Sequence, residues 1–423
     1  MLPIQLFKHD KDLVLSGLRK KNFKDLDLVD KIITVDESRR HMQLEYDNLA
    51  ATLNAAAKNI GLHMSKGEKH EAEQLKEMVA LHKEQSKNIS QKLSDFETEL
   101  QDLLVRLPNL PHSSVPFGKT PEENEVVRTG GDMPVLGEHK LPHWELAAKY
   151  SLIDFELGNK ITGSGFPVFH GQGARLQRAL INYFLNYNID AGYKEYCPPF
   201  MVNEASAYGT GQLPDKEGQM YHAVEDNFFL IPTAEVPITN IYRDTIINEQ
   251  ELPIKMTAYS PCFRREAGSY GKDVRGLNRV HQFDKVEIVQ LAHPAKSYEL
   301  LEEMVSHVEH LLKNLELPYR ILRLCGGDMS FTSALTYDFE VFSAAQERWL
   351  EVSSVSNFEN FQANRMKIRF RDGNSKTQIV HTLNGSSLAL PRIIACLLEN
   401  NQNANGINIP EVLKPYFGKS MIS

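Results

Sequence analysis

Two long stretches of this chain contain neither glycine nor proline, and each carries an apolar seam. They are residues 18–60 and 68–107. In the first, positions 28, 32, 35, 39, 42, 46, 49, 53, 56 and 60 read Leu, Ile, Val, Arg, Met, Tyr, Leu, Leu, Ala and Ile. Steps of four and three in alternation are the seam of a helix that packs on another helix, and Arg39 is its one clear violation. In the second, positions 75, 79, 82, 86, 89, 93, 96, 100 and 103 read Leu, Val, His, Ser, Ile, Leu, Phe, Leu and Leu. His82 and Ser86 weaken that seam. The heptads alone leave two partners open: a second copy of the chain, or the other stretch. Gly61 and Gly67 bracket a short polar segment that reads as a helix stop and turn, which favours an antiparallel hairpin within one chain. At ~1.5 Å per residue each helix would reach roughly 50 Å, so the hairpin is expected to project as an arm.

The remainder is long enough for one or two further domains in a chain of 423 residues. The net charge is −8, which argues against broad, sequence-blind polyanion binding and leaves room for a local basic surface. Cys197, Cys262, Cys325 and Cys396 are scattered, with no CxxC pair or metal-spaced histidine, so zinc is not expected. Neither a signal-peptide core nor an apolar run of ~18 residues occurs, so the expected location is the cytoplasm, with no membrane span.

From Leu107 the composition shifts to LPNLPHSSVPFGKTPEEN, a linker. Beyond it GQGARLQRALINYFLNYNIDAGY predicts a helix ending at Gly192, and YKEYCPPFMVN a strand broken by Pro198 and Pro199. PIKMTAYSPCFRR, RVHQFDKVEIVQL, RWLEVSSVSNF and RMKIRFRDG read as strands; KSYELLEEMVSHVEHLLKNLEL reads as an amphipathic helix, and SSLALPRIIACLLENNQ ends in one. No strand leads into a phosphate-binding GxGxxG turn, which disfavours a dinucleotide fold. The fold class expected is α+β: a long helical hairpin, then a mainly antiparallel sheet flanked by helices.

Chemistry concentrates in SPCFRREAGSYGKDVRGLNRVHQFDKVEIV, residues 260–289. Two strands embrace a loop with Gly268, Gly271, Gly276, Lys272, Arg275 and Arg279. A loop this long and basic suits a phosphate-bearing partner. Arg264, at the end of the first strand, can grip a phosphate bidentately. On the returning strand His281, Phe283, Lys285 and Glu287 share one face. Phe283 and Glu287 are then roughly 13 Å apart, about the span of a nucleotide joined to an amino acid. On periodicity alone a core Phe beside a solvated Glu is the plainer reading.

Phe263-Arg264-Arg265-Glu266 resembles motif 2 of class II aminoacyl-tRNA synthetases, and the longer string through RGLNRVHQFDKVE resembles the seryl family. IPTAEVPITN resembles that family's Thr-Ala-Glu loop, GYKEYCPPFMV its dimer-forming motif 1, RWLEVSSVSNFENFQANR its metal-binding strand and LNGSSLALPR its motif 3. The hairpin and the PNLPHSSVPFG linker are similar too, so the resemblance covers nearly the whole chain. It implies ATP-dependent activation of serine and transfer to tRNA(Ser), and it allows tRNA(Sec) as a second acceptor. It implies a tRNA-binding domain over 1–107, with the arm at about 27–105, and a catalytic core over 108–423, of which 108–147 is linker and lead-in. Arg264, Glu266 and Arg392 would be catalytic. Arg265, Val280, Phe283, Val352 and Ser353 would join them around ATP, with Glu351 and Ser354 holding Mg²⁺. Thr233, Ala234, Glu235, Glu287, Asn384 and Ser386 would, with Arg264, receive serine. Lys58, Lys66, Lys69, Lys76 and Arg275 would meet tRNA in a homodimer, the arm crossing to the partner subunit's tRNA. Departures from the family pattern are Ser387 and Pro391, where small residues are usual, and Asn364, where a basic one is.

Overall fold

Two helices of 39 and 36 residues, packed on each other, fix the first unit of the chain. The computed structural model describes residues 1–423 except 139, 216, 268–274 and 374. Two units separate: Met1–Arg19 with Phe23–Pro108, and Lys20–Asn22 with Asn109–Ser423. In the first, α1 (Leu28–Lys66) and α2 (Lys69–Leu104) pack against each other. Every seam position predicted from the heptads is buried or partly buried on these helices, so the seam's partner is the chain itself. A short helix, Lys11–Lys20, precedes α1. One expectation changes: α1 does not stop at Gly61 but runs on to Lys66 and is capped by Gly67, whose φ of 77° is open to glycine without strain. There Gly67 N–H donates to Met64 O and Glu68 N–H to His63 O, closing the last turn. One mid-helix glycine costs only ~1 kcal/mol, less than the seam on either side supplies. Arg39 fits the seam because it pairs with Asp36 at 2.9 Å; Asp36 is buried and also takes Lys8 and Arg40, each at 3.0 Å.

The second unit is built on one eight-stranded sheet. Its strands are β1 (Glu125–Gly130), β2 (Lys194–Glu195), β3 (Ile254–Phe263), β4 (Gln282–Ala292), β5 (Tyr319–Arg323), β6 (Leu335–Ser343), β7 (Arg348–Asn357) and β8 (His381–Ala389). Their order is β1-β5-β6-β7-β8-β4-β3-β2, and only the β2–β3 pairing is parallel. The fold class is α+β. Three helices cover one face: α3 (Gly171–Asp190), α4 (Ser297–Asn314) and α5 (Leu390–Asn400). Leu180 and Phe184 of α3, Met304 and Val308 of α4 and Ile394 of α5 share a core with Val286, Ile288, Phe339 and Val355 of the sheet. On the opposite face Val289 and Leu291 of β4 enter a second core with Ala234, Met366 and Phe370. Glu287, Lys285 and Phe283 lie on that second face, upstream of its apolar part. This is the alternation that the sequence of β4 predicts.

Some predicted elements differ in extent. YKEYCPPFMVN splits into β2 and a separate strand, Met201–Asn203, that joins another sheet. In RMKIRFRDG, Arg365 and Met366 complete a helix, Phe361–Met366, that also carries Asn364, and only Arg369–Arg371 is strand. The helix before Gly192 ends at Asp190. Gly268, Gly271 and Lys272 lie outside the described residues.

Candidate active site

Two bulges shape the floor of the site. In a regular strand, residues three apart point to opposite faces. On β7, Phe339 pairs with Ser353 but the next residue of β6, Glu340, pairs with Glu351, so β7 carries one extra residue. That bulge turns Glu351 and Ser354 to one side. On β8, Lys285 pairs with Ala389 and Glu287 with Ser386, again one residue more than a regular ladder holds. The extra residue there includes Leu388 at φ 68°, a conformation β-carbon-bearing residues avoid. The backbone demand at motif 3 thus falls on Leu388 and not on Ser387. The Ser387 hydroxyl donates to Asn188 Oδ1 at 2.9 Å, which accounts for a serine there. Pro391 occupies the first turn of α5, where its missing N–H is no loss.

Above this floor is a cavity of about 560 Å³. Of the residues predicted for the site, Arg264, Glu266, Val280, Phe283, Thr233, Glu235, Glu287, Glu351, Val352, Ser353, Ser354, Asn384, Ser386 and Arg392 all line it. Three do not. Arg265 is tied by its N–H to Gln219 O at 2.9 Å, Ala234 is buried in the second core, and Arg275 stacks on the Trp144 ring at 4.6 Å. Lys58, Lys66, Lys69 and Lys76 are exposed near the arm's turn, and Lys76 pairs with Glu73 at 3.1 Å.

Arg264 follows β3. Its N–H donates to His281 O at 2.9 Å, its Nε donates to Pro232 O at 3.4 Å, and its guanidinium stands 5.3 Å from the Phe283 ring centre. Arg392 reaches the cavity from α5, donating to Glu351 O at 2.7 Å and Asn278 O at 3.1 Å. Glu266, at φ 49°, pairs with Arg279 at 2.8 Å. One end of the cavity is a buried polar nest. Lys285 meets Glu287 at 2.5 Å, Thr233 donates to Glu287 at 2.8 Å, and Gln362 donates to Glu235 at 2.7 Å. The sequence places Lys285 on the face of Glu287 but assigns it no role, and it does not single out Gln362.

Burial pushes the Glu235 carboxyl up from 4.5 to about 7, and the Glu287 carboxylate adds to the rise. A raised carboxyl favours the neutral form, so its stability contribution is complete below pH ~4.5 and is lost as pH rises through about 7. At ~1.4 kcal/mol per unit the loss is on the order of 3 kcal/mol. Glu235→Gln is expected to be more stable than the parent at pH 8.5 and to lose that advantage at pH 4. Chemical denaturation at the two pH values measures it; parallel pH profiles would refute the assignment.

A mainly antiparallel sheet carrying an arginine at the end of one strand, an aromatic ring beneath it, and a second arginine on the helix after another strand defines a class II aminoacyl-tRNA synthetase core. Residues 220–401 match the family described as tRNA synthetase class II core domain (G, H, P, S and T), and residues 1–111 match the seryl-tRNA synthetase N-terminal domain. The serine–tRNA ligase of Salinibacter ruber is 49% identical, covering 100% of this chain and 99% of the relative. That of Methylacidiphilum infernorum is 47% identical, with 99% of each covered. Among solved structures, seryl-tRNA synthetase from Pyrococcus horikoshii complexed with ATP matches with a TM-score of 0.92 at 32% identity, covering 100% of this chain and 99% of that one. The chain belongs to the seryl-tRNA synthetase family.

Proposed function

We propose that this chain activates L-serine with ATP and transfers it to tRNA(Ser). The observation that carries the reading is the joining, in one cavity, of two guanidinium groups, an aromatic face and a buried polar nest. The serine carboxylate attacks the α-phosphorus of ATP, a P–O bond forms, and pyrophosphate leaves. Arg264 meets the charge that develops on the α-phosphate, Arg392 the far phosphates, and Phe283 the adenine; the protein's work is positioning and neutralisation. Glu287 pairs with the ammonium, while Thr233, Glu235, Asn384 and Ser386 surround the side chain. An amino acid without a hydroxyl leaves those groups unpaired. Threonine must be kept out by shape, a difference of only about 1–3 kcal/mol. In the second step the terminal ribose hydroxyl of tRNA attacks the adenylate carbonyl and AMP leaves.

Glu351 and Ser354 offer hard oxygen donors on one side of β7, a set that suits Mg²⁺ while leaving positions for phosphate and water; bound there, the ion neutralises phosphate charge. The residues 1–107 are the tRNA-reading part and 108–423 the catalytic part in this reading. In this reading the activity belongs to the cytoplasm, where ATP, serine and tRNA are found together. No described helix is long and apolar enough to cross a membrane. The test is charging of bulk tRNA with labelled serine beside threonine and alanine. Serine-only charging is expected. Serine-dependent pyrophosphate exchange without charging would instead favour an acceptor other than tRNA, and a tRNA(Sec) transcript in the same assay tests the second acceptor.

A homodimer is part of the proposal. The motif 1 resemblance is supported by Phe200, Met201 and Phe228, apolar side chains that are each more than two-fifths exposed in one small region. Light scattering at micromolar concentration is expected to give twice the chain mass of 48.1 kDa; a monomer would overturn it.

A further inference from the structure

We propose that Asp338 is a positioning residue for the divalent ion: it orients the Ser354 hydroxyl and offers its free oxygen to the ion's water shell. The proposal rests on the reading of Glu351 and Ser354 as the ion's ligands. Asp338 lies on β6, directly opposite Ser354 in the β6–β7 ladder. Residues opposite one another in an antiparallel pair project to the same face. Its neighbours Tyr337 and Phe339 enter the helix-covered core, which leaves Asp338 on the cavity side.

The polar residues on that side of β6 are otherwise engaged. Thr336 bonds Ser356 at 2.9 Å, and Glu340 pairs with Arg320. Asp338 faces Ser354 across the ladder, and its Oδ1 is buried without a hydrogen-bond partner. A buried carboxylate oxygen lacking a donor is costly. Here the cost falls beside the two residues that offer oxygen to an ion. A hydroxyl has one hydrogen and two lone pairs. In the proposed arrangement the Ser354 hydrogen goes to Asp338, which leaves the Ser354 lone pairs for the ion. Mg²⁺ keeps several waters when bound, and such a water supplies the donor that Oδ1 lacks. Outer partners of this kind fix the inner ligands, and their loss costs about 10–100-fold in metal affinity.

The test uses the full chain and reads binding, not turnover. The dissociation constant of a non-hydrolysable ATP analogue is measured by calorimetry with and without Mn²⁺, in the parent, Asp338→Asn and Glu351→Gln. The ratio of the two constants is the coupling between ion and nucleotide. Asp338→Asn is expected to shrink that ratio by about 10-fold or more, with affinity in the absence of Mn²⁺ and the thermal midpoint unchanged. If Glu351→Gln loses the coupling and Asp338→Asn keeps it, the role of Asp338 is overturned and the ion reading stands. If the parent shows no coupling, both fall. A lowered thermal midpoint with the coupling intact would assign Asp338 to the fold alone and also overturn the proposal. Asp338→Ala, judged on the same ratio, replaces the asparagine variant should that one not fold.

Discussion

Arg264→Ala is expected to slow serine-dependent ATP–pyrophosphate exchange by at least ~10²-fold, the loss that follows removal of one preorganised charge donor from a transition state. That corresponds to about 2.7 kcal/mol of barrier. The reason lies in how Arg264 is held. Its side-chain Nε bonds a neutral carbonyl and its guanidinium leans over the Phe283 face. Among the described residues it forms no ion pair, so no neighbouring carboxylate neutralises its charge. Arg392 differs, being shared with Glu351, whose carboxylate lies 3.6 Å away. The backbone on either side of Arg264 is fixed by the β3–β4 ladder and by the bond to His281 O, so the variant should fold and bind ATP. The fall should appear in kcat and kcat/KM together, as for an interaction made in the transition state. Arg264→Lys should recover only part of the rate, since an ammonium keeps the charge and loses the two-pronged geometry. Exchange near the parental rate in Arg264→Ala would remove Arg264 from the chemistry.

What could be read beforehand divides along physical lines. The arm was legible because a heptad seam repeats over many turns and tolerates an Arg39 or a Gly61 without changing its period. The facing of Phe283, Lys285 and Glu287 was legible because β4 pairs in an unbroken ladder with β3 from Gln282 to Leu291, so side-chain alternation holds throughout. The bulges on β7 and β8 were not legible. Each adds one residue to a strand, and nothing in the local pattern of EVSSVSN or LNGSSLALP marks where the ladder slips. Asp36 was missed because a carboxylate beside an apolar seam reads as a solvated position, whereas three cations converge on it. The Lys285–Glu287 pairing was missed for a similar reason: strand periodicity gives a face, but burial is decided by the Thr233–Glu235 segment that closes over it. The resemblance to the seryl family supplied the grouping of distant segments around one cavity, which no local pattern contains.

Replacing residues 41–94 by a short turn is expected to leave serine activation within a few-fold of the parent and to lower tRNA charging, as kcat/KM for tRNA, by at least ~10²-fold. Every residue assigned to ATP or serine belongs to Asn109–Ser423, so pyrophosphate exchange should not depend on the outer arm. The base of the arm has its own anchors: Asp36 with Lys8, Arg39 and Arg40, and Arg106 with Asp25 at 3.0 Å. All of these remain in the shortened chain. What is lost is the exposed outer length of α1 and α2 with Lys58, Lys66, Lys69 and Lys76. On a chain of net charge −8, tRNA binding has to come from local cations, and phosphate contacts of this kind weaken steeply with salt. Changing the four lysines to alanine in the full-length chain separates charge from shape. Each lost phosphate contact should flatten the salt dependence of tRNA affinity by roughly one unit of log–log slope. Lys76 should matter least, because Glu73 already neutralises part of its charge. Charging that survives the deletion would move tRNA reading to the catalytic unit. Charging lost on deletion, with an unchanged salt slope in the lysine variant, would leave the arm as the reader and make its contacts those of shape.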